Sequence, residues 1–354
     1  MPLPLSSPPD SVCLLRLSAL GDITHCLPVL RTLQRHWPDT AITWIIGRNE
    51  HELVRRIEGV EFVTFDKGRG LAAYGELRRK LAGRRFDVLL HMQVALRASA
   101  ASLFTRADVR VGFDRPRAKD MQWLFCNAQI QPRTHRQHVL DGLLEFPKRL
   151  GLEPVMQWGL PSDPDARVTL SDKLGGGDYL VINACAVAKS RSWRNWTVEG
   201  YAMAADHAAR EHGLQVVLSG GPSPQEREMA DRIEALCNEK PLNLVGRTSL
   251  QEMIALLEDA RMVIAPDTGP AHVASAVGTP VIGLYAATNP DRAAPYRFRQ
   301  YVVNEYPRAL ETYCSTTVDR AAWGQRIRND ECMALIQVRD VLAMMDRVAA
   351  DSGA

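Results

Sequence analysis

Several segments of the C-terminal half carry residues suited to binding a phosphorylated ligand. The stretch APDTGPAH, residues 265–272, is typical of a strand, a tight Asp-Thr-Gly turn and a helix opened by Pro270. The first N–H groups and the positive dipole end of such a helix suit a phosphate. Thr268 could add a hydroxyl, His272 a donor, and Asp267 could hold sugar hydroxyls. The alternative is an ordinary turn in which Asp267 caps the helix.

Two further loops of this half could bind the rest of a nucleotide. The loop NACAVAKSRSWRNW, residues 183–196, offers Lys189, Arg191 and Arg194, and such cations neutralise the oxygens of a diphosphate. The loop GGPSPQERE leads into a helix, and its Glu226 could accept hydrogen bonds from ribose hydroxyls. The alternatives are a solvated surface loop for the first segment and a helix-capping carboxylate for the second. In a parallel sheet all of these loops would lie at one edge, where ligands bind.

The N-terminal half places one carboxylate where it could act as a base. In LSALGDITHCLP, Asp22 follows a glycine at the point where an apolar strand gives way to a helix. Pro28 lacks an N–H and is tolerated near a helix start, so Asp22 is expected in the connecting loop or the first turn, exposed at the sheet edge. It could accept a proton from an attacking hydroxyl there, or it could simply cap the helix.

The overall composition predicts a soluble globular protein of two domains. A chain of 354 residues is longer than a domain with one hydrophobic core usually is, which predicts two domains with a cleft between them. Hydrophobic residues make up 46% of the chain without a long uncharged apolar run, which excludes a membrane-spanning protein. The seven cysteines form no CxxC pair, so we expect reduced thiols and no metal cluster. The Pro- and Ser-rich start lacks a secretory signal, which predicts a cytoplasmic protein.

One stretch is strongly basic although the net charge of the chain is only +2. Residues 97–138 contain three aspartates and the cations Arg97, Arg106, Arg110, Arg115, Arg117, Lys119, Arg133 and Arg136. This excess is either a solvated face or a site for an anionic ligand, such as a phosphorylated lipid head group. Nucleic acid is disfavoured because aromatic residues are not interleaved with the charges.

Short β-rich runs alternate with helical patterns in both halves, which predicts α/β domains built on doubly wound parallel sheets. We place the domains at 11–160 and 176–330, joined by the Pro-rich linker EPVMQWGLPSDPDAR. A final amphipathic helix within 331–350 could pack back on the first domain. Neither a GxGxxG fingerprint nor a Walker A sequence is present, which disfavours a dehydrogenase or an ATPase.

Four segments together resemble the ADP-heptose:lipopolysaccharide heptosyltransferases of glycosyltransferase family 9. They are LSALGDITHCLPVLRTL, KSRSW, GGPSPQERE and PDTGPAHVASAVGTPVIGLY, and the THCLP sequence is closer to the heptosyltransferase I type. The resemblance implies a GT-B fold, in which two Rossmann-like domains face a cleft, with the acceptor on the first and the nucleotide sugar on the second. It also implies inverting transfer of L-glycero-D-manno-heptose from ADP-heptose to Kdo-lipid A, without a metal or another cofactor.

The resemblance further assigns roles to individual residues. It makes Asp22 the general base and Arg191 the cation that stabilises the diphosphate leaving group. Glu226 matches the ribose-binding glutamate, Thr248 lies where an adenine-contacting side chain is expected, and Asp267 matches the residue that contacts the heptose. The predicted donor-binding residues are Lys189, Arg191, Glu226, Thr248, Asp267, Thr268, Gly269 and His272.

The basic stretch would then bind the anionic Kdo and phosphate groups of the acceptor. The predicted acceptor-binding residues are Arg97, Arg115, Arg117, Lys119 and Arg136, and the protein would work as a peripheral enzyme at the inner face of the cytoplasmic membrane. Alternatives are a related transferase that uses another nucleotide sugar, a later core acceptor or a protein acceptor, and a non-catalytic sugar-nucleotide-binding protein. Two features depart from the family: Arg194 stands where many relatives have proline, and NACAVA replaces a loop of hydroxyl residues.

Overall fold

The computed structural model describes residues 2–133, 136–186 and 193–353. The chain forms two units, of which the first ends at Pro161 and the second begins at Ser162. Each unit contains a six-stranded sheet whose neighbouring strands are all parallel, flanked by helices. The predicted α/β class with two Rossmann-like sheets is confirmed.

The first unit builds its sheet in the order β3-β2-β1-β4-β5-β6. The strands are β1 (Ser11–Leu15), β2 (Ala41–Gly47), β3 (Glu61–Phe65), β4 (Phe86–His91), β5 (Ala107–Gly112) and β6 (Ala128–Gln129). The helices are α1 (Leu20–His36), α2 (Arg48–Val54), α3 (Leu71–Lys80), α4 (Leu96–Ser102) and α5 (Val139–Leu150), with short 3-10 helices at Lys67–Arg69 and Gln122–Phe125. The central strands β1, β2 and β4 are nearly continuous apolar runs, as strands covered on both faces require.

Helix α1 shows one departure from the sequence prediction. Asp22 lies in its first turn, as expected, but Pro28 lies in the helix interior rather than near the start. The helix is buried along most of its length and packs against α5, so apolar contacts offset the hydrogen bond that the missing N–H of Pro28 removes. One turn further on, the Thr32 hydroxyl donates to the Pro28 carbonyl at 2.7 Å.

The second unit has the same topology, since its strand order read from one edge is β9-β8-β7-β10-β11-β12. The strands are β7 (Tyr179–Ile182), β8 (Gln215–Leu218), β9 (Leu242–Asn243), β10 (Met262–Pro266), β11 (Val281–Tyr285) and β12 (Val302–Asn304). The helices are α6 (Pro164–Leu174), α7 (Val198–His212), α8 (Pro224–Leu236), α9 (Leu250–Glu258), α10 (Gly269–Val277), α11 (Pro290–Ala293), α12 (Tyr306–Cys314) and α13 (Val338–Gly353), with 3-10 helices at Tyr296–Tyr301 and Cys332–Leu335.

Helices border this unit at both ends of its sequence. Helix α6 begins inside the stretch expected to be a linker, because Asp163 accepts a hydrogen bond from the Asp165 N–H and Pro164 opens the first turn. The final helix α13 packs against α7. There Asp346 bonds the imidazole Nε2 atoms of His207 and His212 at 2.7 and 2.9 Å.

In both sheets the strand order reverses beside the first strand, between β1 and β4 and between β7 and β10. Loops that leave the carboxyl ends of strands at such a switch point form the usual ligand site of an open parallel sheet. The predicted base follows β1, and the Asp-Thr-Gly turn follows β10. None of the helices in the described residues has the length and apolar character needed to cross a lipid bilayer.

Candidate active site

Arg16 holds Asp22 at the switch point of the first sheet. Its guanidinium forms an ion pair with Asp22 Oδ2 at 2.7 Å, and it donates to the carbonyls of Ser18 at 2.9 Å and Met92 at 2.6 Å. These contacts join the loops that follow β1 and β4. Burial would lower the pKa of Arg16, but the Asp22 carboxylate raises it above its ordinary value. Arg16 is therefore a permanent cation that stabilises negative charge on Asp22.

Asp22 makes a capping contact at the start of α1 and still presents its carboxylate to solvent. Its Oδ2 accepts a hydrogen bond from the Ala19 N–H at 3.1 Å, so the carboxylate satisfies a donor at the start of α1. The side chain nevertheless remains 36% exposed, whereas that of Arg16 is 11% exposed. The capping contact thus fixes the orientation of the carboxylate without covering it. A base role for Asp22 stays a prediction.

A pocket of about 290 Å³ opens in the first unit near the carboxyl ends of its strands. Two cations, Lys67 and Arg97, lie in its wall together with Ser18 and Gln93. The Gln93 side chain donates to the Ser18 hydroxyl at 3.1 Å and accepts from the backbone of the β1 loop, which fixes these polar groups. Lys67 pairs with Glu50 at 3.1 Å. The chemistry of this wall suits an anionic, hydroxylated ligand.

Lys67 lies outside the basic stretch 97–138, in which the acceptor-binding residues were predicted. Its position was a usable signal, because it stands two residues after β3 at the carboxyl edge of a parallel sheet. Arg97 is the one predicted acceptor residue among those lining the pocket. The structure therefore adds a cation from a different strand loop to the predicted set.

The other predicted acceptor residues differ in their surroundings. Arg117 binds the buried carboxylates of Asp114 and Glu145, the latter at 2.7 Å, so its charge is balanced inside the unit. Arg115 is exposed and lies over the Trp123 ring, 4.5 Å from its centroid. Lys119 and Arg136 are exposed. Arg110, a further cation of the stretch, donates to the backbone carbonyls of Ser102, Thr105 and Phe125.

Asp267 lies among charged partners in the second unit. His272 Nε2 is 3.7 Å from Asp267 Oδ1, and Arg194 Nη1 is 3.7 Å from Oδ2 while donating to the Asp267 carbonyl at 2.5 Å. Burial alone would raise the pKa of Asp267, but His272, Arg194 and Thr288 lower it below its ordinary value. Asp267 is therefore an ionised acceptor, and its side chain is only 15% exposed.

Helix α10 begins just after Asp267, and the capping alternative does not hold there. Thr268, with extended backbone, occupies the N-cap position, and its side chain makes no capping hydrogen bond. The Thr268 hydroxyl is buried and has no hydrogen-bond partner among the residues that the structure describes. Gly269 and Pro270 form the first turn. This leaves a hydroxyl and the positive end of a helix dipole at the switch point, a combination suited to phosphate.

The Glu226 carboxylate binds groups of the loop before α8, while the N-cap of that helix is Ser223 rather than Glu226. Its Oε1 accepts from the Gly221 N–H and its Oε2 from the Ser223 hydroxyl, both at 2.7 Å, and Ser223 in turn caps α8. A ribose hydroxyl would have to share these carboxylate oxygens or replace a partner. Thr248 is half-buried in the loop that precedes α9. Donor-binding roles for both residues stay predictions.

Hydrogen bonds connect the strand loops of the second unit along one edge. Arg194 links the loop after β7 to Asp267 after β10, and Asn183 Nδ2 donates to the Ser219 carbonyl after β8 at 3.0 Å. The Gly246 N–H donates to the Gly220 carbonyl, also at 3.0 Å, and so attaches the loop after β9. The predicted donor segments are thus brought to one sheet edge. Lys189 and Arg191 lie outside the described residues.

Comparison with known proteins places this arrangement in a family. Residues 74–319 match glycosyltransferase family 9 (heptosyltransferase). The chain is 36% identical to the lipopolysaccharide core heptosyltransferase OpsX of Haemophilus influenzae over 355 aligned residues, covering 98% of this chain and 99% of that protein.

Two solved structures share the fold at low sequence identity. The glycosyl transferase family 9 protein of Veillonella parvula superposes with a TM-score of 0.78 at 18% identity and 97% coverage of both chains. The E. coli heptosyltransferase WaaC with ADP gives a TM-score of 0.70 at 20% identity, covering 97% of this chain and 99% of that one. These matches confirm the predicted family and the GT-B fold, and the chain belongs to glycosyltransferase family 9, the heptosyltransferases.

Proposed function

We propose that this glycosyltransferase moves L-glycero-D-manno-heptose from ADP-heptose to the Kdo-lipid A inner core of lipopolysaccharide, with inversion at the transferred carbon. The observation that carries the proposal is the pair of switch-point sites in one chain of this family. One presents an oriented, partly exposed carboxylate at Asp22, and the other presents an uncapped helix start at Thr268 beside the ionised Asp267.

The first unit would bind the acceptor and remove a proton from it. The cationic pocket wall at Lys67 and Arg97 matches the carboxylate and phosphate groups of a Kdo-containing lipid. Asp22 accepts the proton of the attacking hydroxyl, a role that typically contributes on the order of 10²–10⁴ in rate. Arg16 keeps the carboxylate ionised before the transfer and oriented during it.

The second unit would bind the donor and stabilise the ADP that leaves. The Thr268 hydroxyl, the Gly269 N–H and the dipole of α10 stabilise charge as it develops on the diphosphate. Asp267, kept ionised by His272 and Arg194, accepts hydrogen bonds from heptose hydroxyls. Lys189 and Arg191 add positive charge in the loop after β7, and protein groups alone then neutralise the diphosphate without a metal ion.

The reaction takes place, in this proposal, where a water-soluble nucleotide sugar meets an acceptor anchored in a lipid bilayer. The protein would therefore work on the cytoplasmic side, bound peripherally to the membrane surface through its basic first unit. Nucleic acid is not among the proposed partners.

The deciding experiment incubates the purified protein with ADP-heptose and Kdo-lipid A in the presence of EDTA and follows the acceptor by mass spectrometry. The matched control is Asp22→Asn, because the amide oxygen still accepts from Ala19 and Arg16 while basicity is lost. We expect a heptose increment with the wild type and a loss of about 10²-fold or more in rate with the variant.

Each alternative gives a different result in the same assay. Transfer to a heptosylated core or to a protein, with none to Kdo-lipid A, would move the enzyme to a later acceptor. Turnover of another nucleotide sugar in preference to ADP-heptose would change the donor. Binding of ADP-heptose without transfer to any of these acceptors would leave a non-catalytic sugar-nucleotide-binding protein.

A further inference from the structure

Exposed apolar side chains concentrate on one part of the first unit. Nine large apolar residues of the described chain are exposed by 45% or more, and five of them lie between residues 71 and 124. We call these five the apolar patch: Leu71, Leu96, Leu103, Met121 and Leu124, with exposures from 58% to 87%. Isolated apolar residues on a surface are ordinary, but a concentration of this kind marks an interaction site.

The elements that carry the apolar patch adjoin one another. The Leu96 N–H at the start of α4 donates to Asp120 Oδ2 at 3.1 Å, which holds the turn containing Met121 beside that helix. The Tyr74 hydroxyl of α3 lies 3.5 Å from the Arg97 carbonyl, and its ring centroid is 6.1 Å from that of Phe104. The patch therefore extends over α3, α4 and the 3-10 helix that follows Met121.

The backbone of the turn that contains Met121 is strained, and the Met121 side chain is exposed there. Asp120 and Met121 adopt left-handed conformations with φ of 50° and 54°, which non-glycine residues seldom occupy. The contact between Asp120 and the Leu96 N–H fixes this turn. The next turn exposes Leu124, whose N–H donates to the Met121 carbonyl at 3.0 Å.

Exposed cations accompany these apolar side chains along the chain. Arg97 lies on α4, Arg106 follows that helix, and Arg115 and Lys119 lie in the segment that leads to the 3-10 helix. Arg115 lies over the ring of Trp123, a residue that stands between Met121 and Leu124 in the sequence. The Asp120 carboxylate accepts a hydrogen bond from the Leu96 N–H. Apolar side chains separated by cations match a layer that is anionic at its surface and apolar beneath it.

We propose that the apolar patch and its cations dock on the surface of an anionic phospholipid bilayer. Leucine and methionine side chains would enter the boundary between head groups and acyl chains, while the guanidinium and ammonium groups would contact lipid phosphates. The inference rests on the proposed function, since Arg97 belongs both to this face and to the acceptor pocket. Docking here would place that pocket at the level of lipid head groups.

The test compares vesicle binding by two matched triple variants. The patch variant is Leu71→Ser, Leu103→Ser and Leu124→Ser, none of which lines the acceptor pocket. The control variant is Val168→Ser, Met203→Ser and Leu236→Ser, which removes three apolar residues of the second unit that are 52–65% exposed. Co-sedimentation is measured with vesicles of phosphatidylethanolamine and phosphatidylglycerol in equal parts, and with vesicles of phosphatidylcholine alone.

We expect the wild type and the control variant to bind the anionic vesicles alike, and the patch variant to bind at least about tenfold more weakly. Binding should weaken as salt is raised and on the zwitterionic vesicles. Failure of the wild type to bind anionic vesicles, or equal loss in the two variants, would overturn the proposal. If the patch binds another protein instead of lipid, the wild type will not bind the anionic vesicles, and the proposal is overturned in that case too.

A second readout separates this inference from the proposed function. With a deacylated, water-soluble acceptor, the patch variant should transfer heptose as fast as the wild type, whereas with acceptor embedded in vesicles its rate should fall about tenfold. Equal rates on embedded acceptor would overturn docking through this face. If neither acceptor is used by the wild type, the proposed function fails, and vesicle co-sedimentation still decides the docking surface.

Discussion

Replacement of Arg16 by methionine tests whether this residue positions the proposed base. Methionine fills much of the space of the aliphatic stem but loses the ion pair with Asp22 and the hydrogen bonds to two backbone carbonyls. The carbonyl of the fully buried Met92 would lose a charged donor, which typically costs about 1–3 kcal/mol. The pair with Asp22 contributes about 1 kcal/mol or less, because that carboxylate is more than a third exposed.

The expected sum is a loss of about 1–4 kcal/mol in the free energy of unfolding. Urea denaturation measures it, and Trp44 offers a local fluorescence signal because its buried indole N–H donates to the Arg16 carbonyl at 3.2 Å. The rate of transfer should also fall by about 10–100-fold, since an unanchored carboxylate samples unproductive orientations.

A pH profile separates positioning from mere loss of stability. The coupling between Arg16 and Asp22 is mutual: the carboxylate raises the pKa of the guanidinium, and the guanidinium favours the ionised carboxylate. In Arg16→Met the acid limb of kcat/KM should therefore move to higher pH, whereas Arg16→Lys should move it less. An unchanged acid limb together with a wild-type rate in Arg16→Met would refute the reasoning.

Three further outcomes follow from the ion pairs and from the proposed chemistry. Arg117→Met should lower the free energy of unfolding by about 3 kcal/mol in urea denaturation, because the buried Asp114 carboxylate loses its cation, whereas Glu145 keeps an ion pair with Arg133. Arg115→Met should lower it by less than about 1 kcal/mol. Burial raises the pKa of Glu252, but hydrogen bonds from Lys173 and Ser249 lower it overall, so this stabilisation is present above about pH 4 and lost as pH falls further. The stability difference between the wild type and Lys173→Met should accordingly shrink on acidification, and a constant difference would contradict the assignment. Dialysis against EDTA should leave the rate of heptose transfer unchanged, and activity restored only by a divalent cation would contradict neutralisation of the diphosphate by protein groups.

Local sequence signals were sufficient for most elements of the fold. Alternating apolar and amphipathic runs predicted the parallel α/β class, and Gly-Asp and Asp-Thr-Gly segments were correctly expected where strands give way to helices. Pro28 was misjudged because its effect depends on tertiary packing, which here buries almost the whole of α1. The predicted linker includes the first residues of α6, because Asp163 and Pro164 start that helix within a Pro-rich stretch.

The surroundings of single site residues could not be read from the sequence. In the sequence, Arg117 is a cation that could bind an anionic acceptor. Its partner Glu145 lies 28 residues further along the chain, and only the folded unit brings the two together. Lys67 has no distinguishing sequence context, and only the parallel sheet brings the loop after β3 beside the loops after β1 and β4. The Glu226 carboxylate accepts hydrogen bonds from Gly221 and Ser223 in its own loop, and these local contacts do not depend on a bound ribose.

The continuity of each sheet has a consequence for protein engineering. All six strands of the first sheet come from residues before Pro161, and all six of the second come from residues after Ser162. A chimera that joins the first half of one relative to the second half of another at this boundary keeps every strand pair within its parent sequence. Under the proposed division of roles, a single crossover at this boundary would combine the acceptor preference of one enzyme with the donor preference of another.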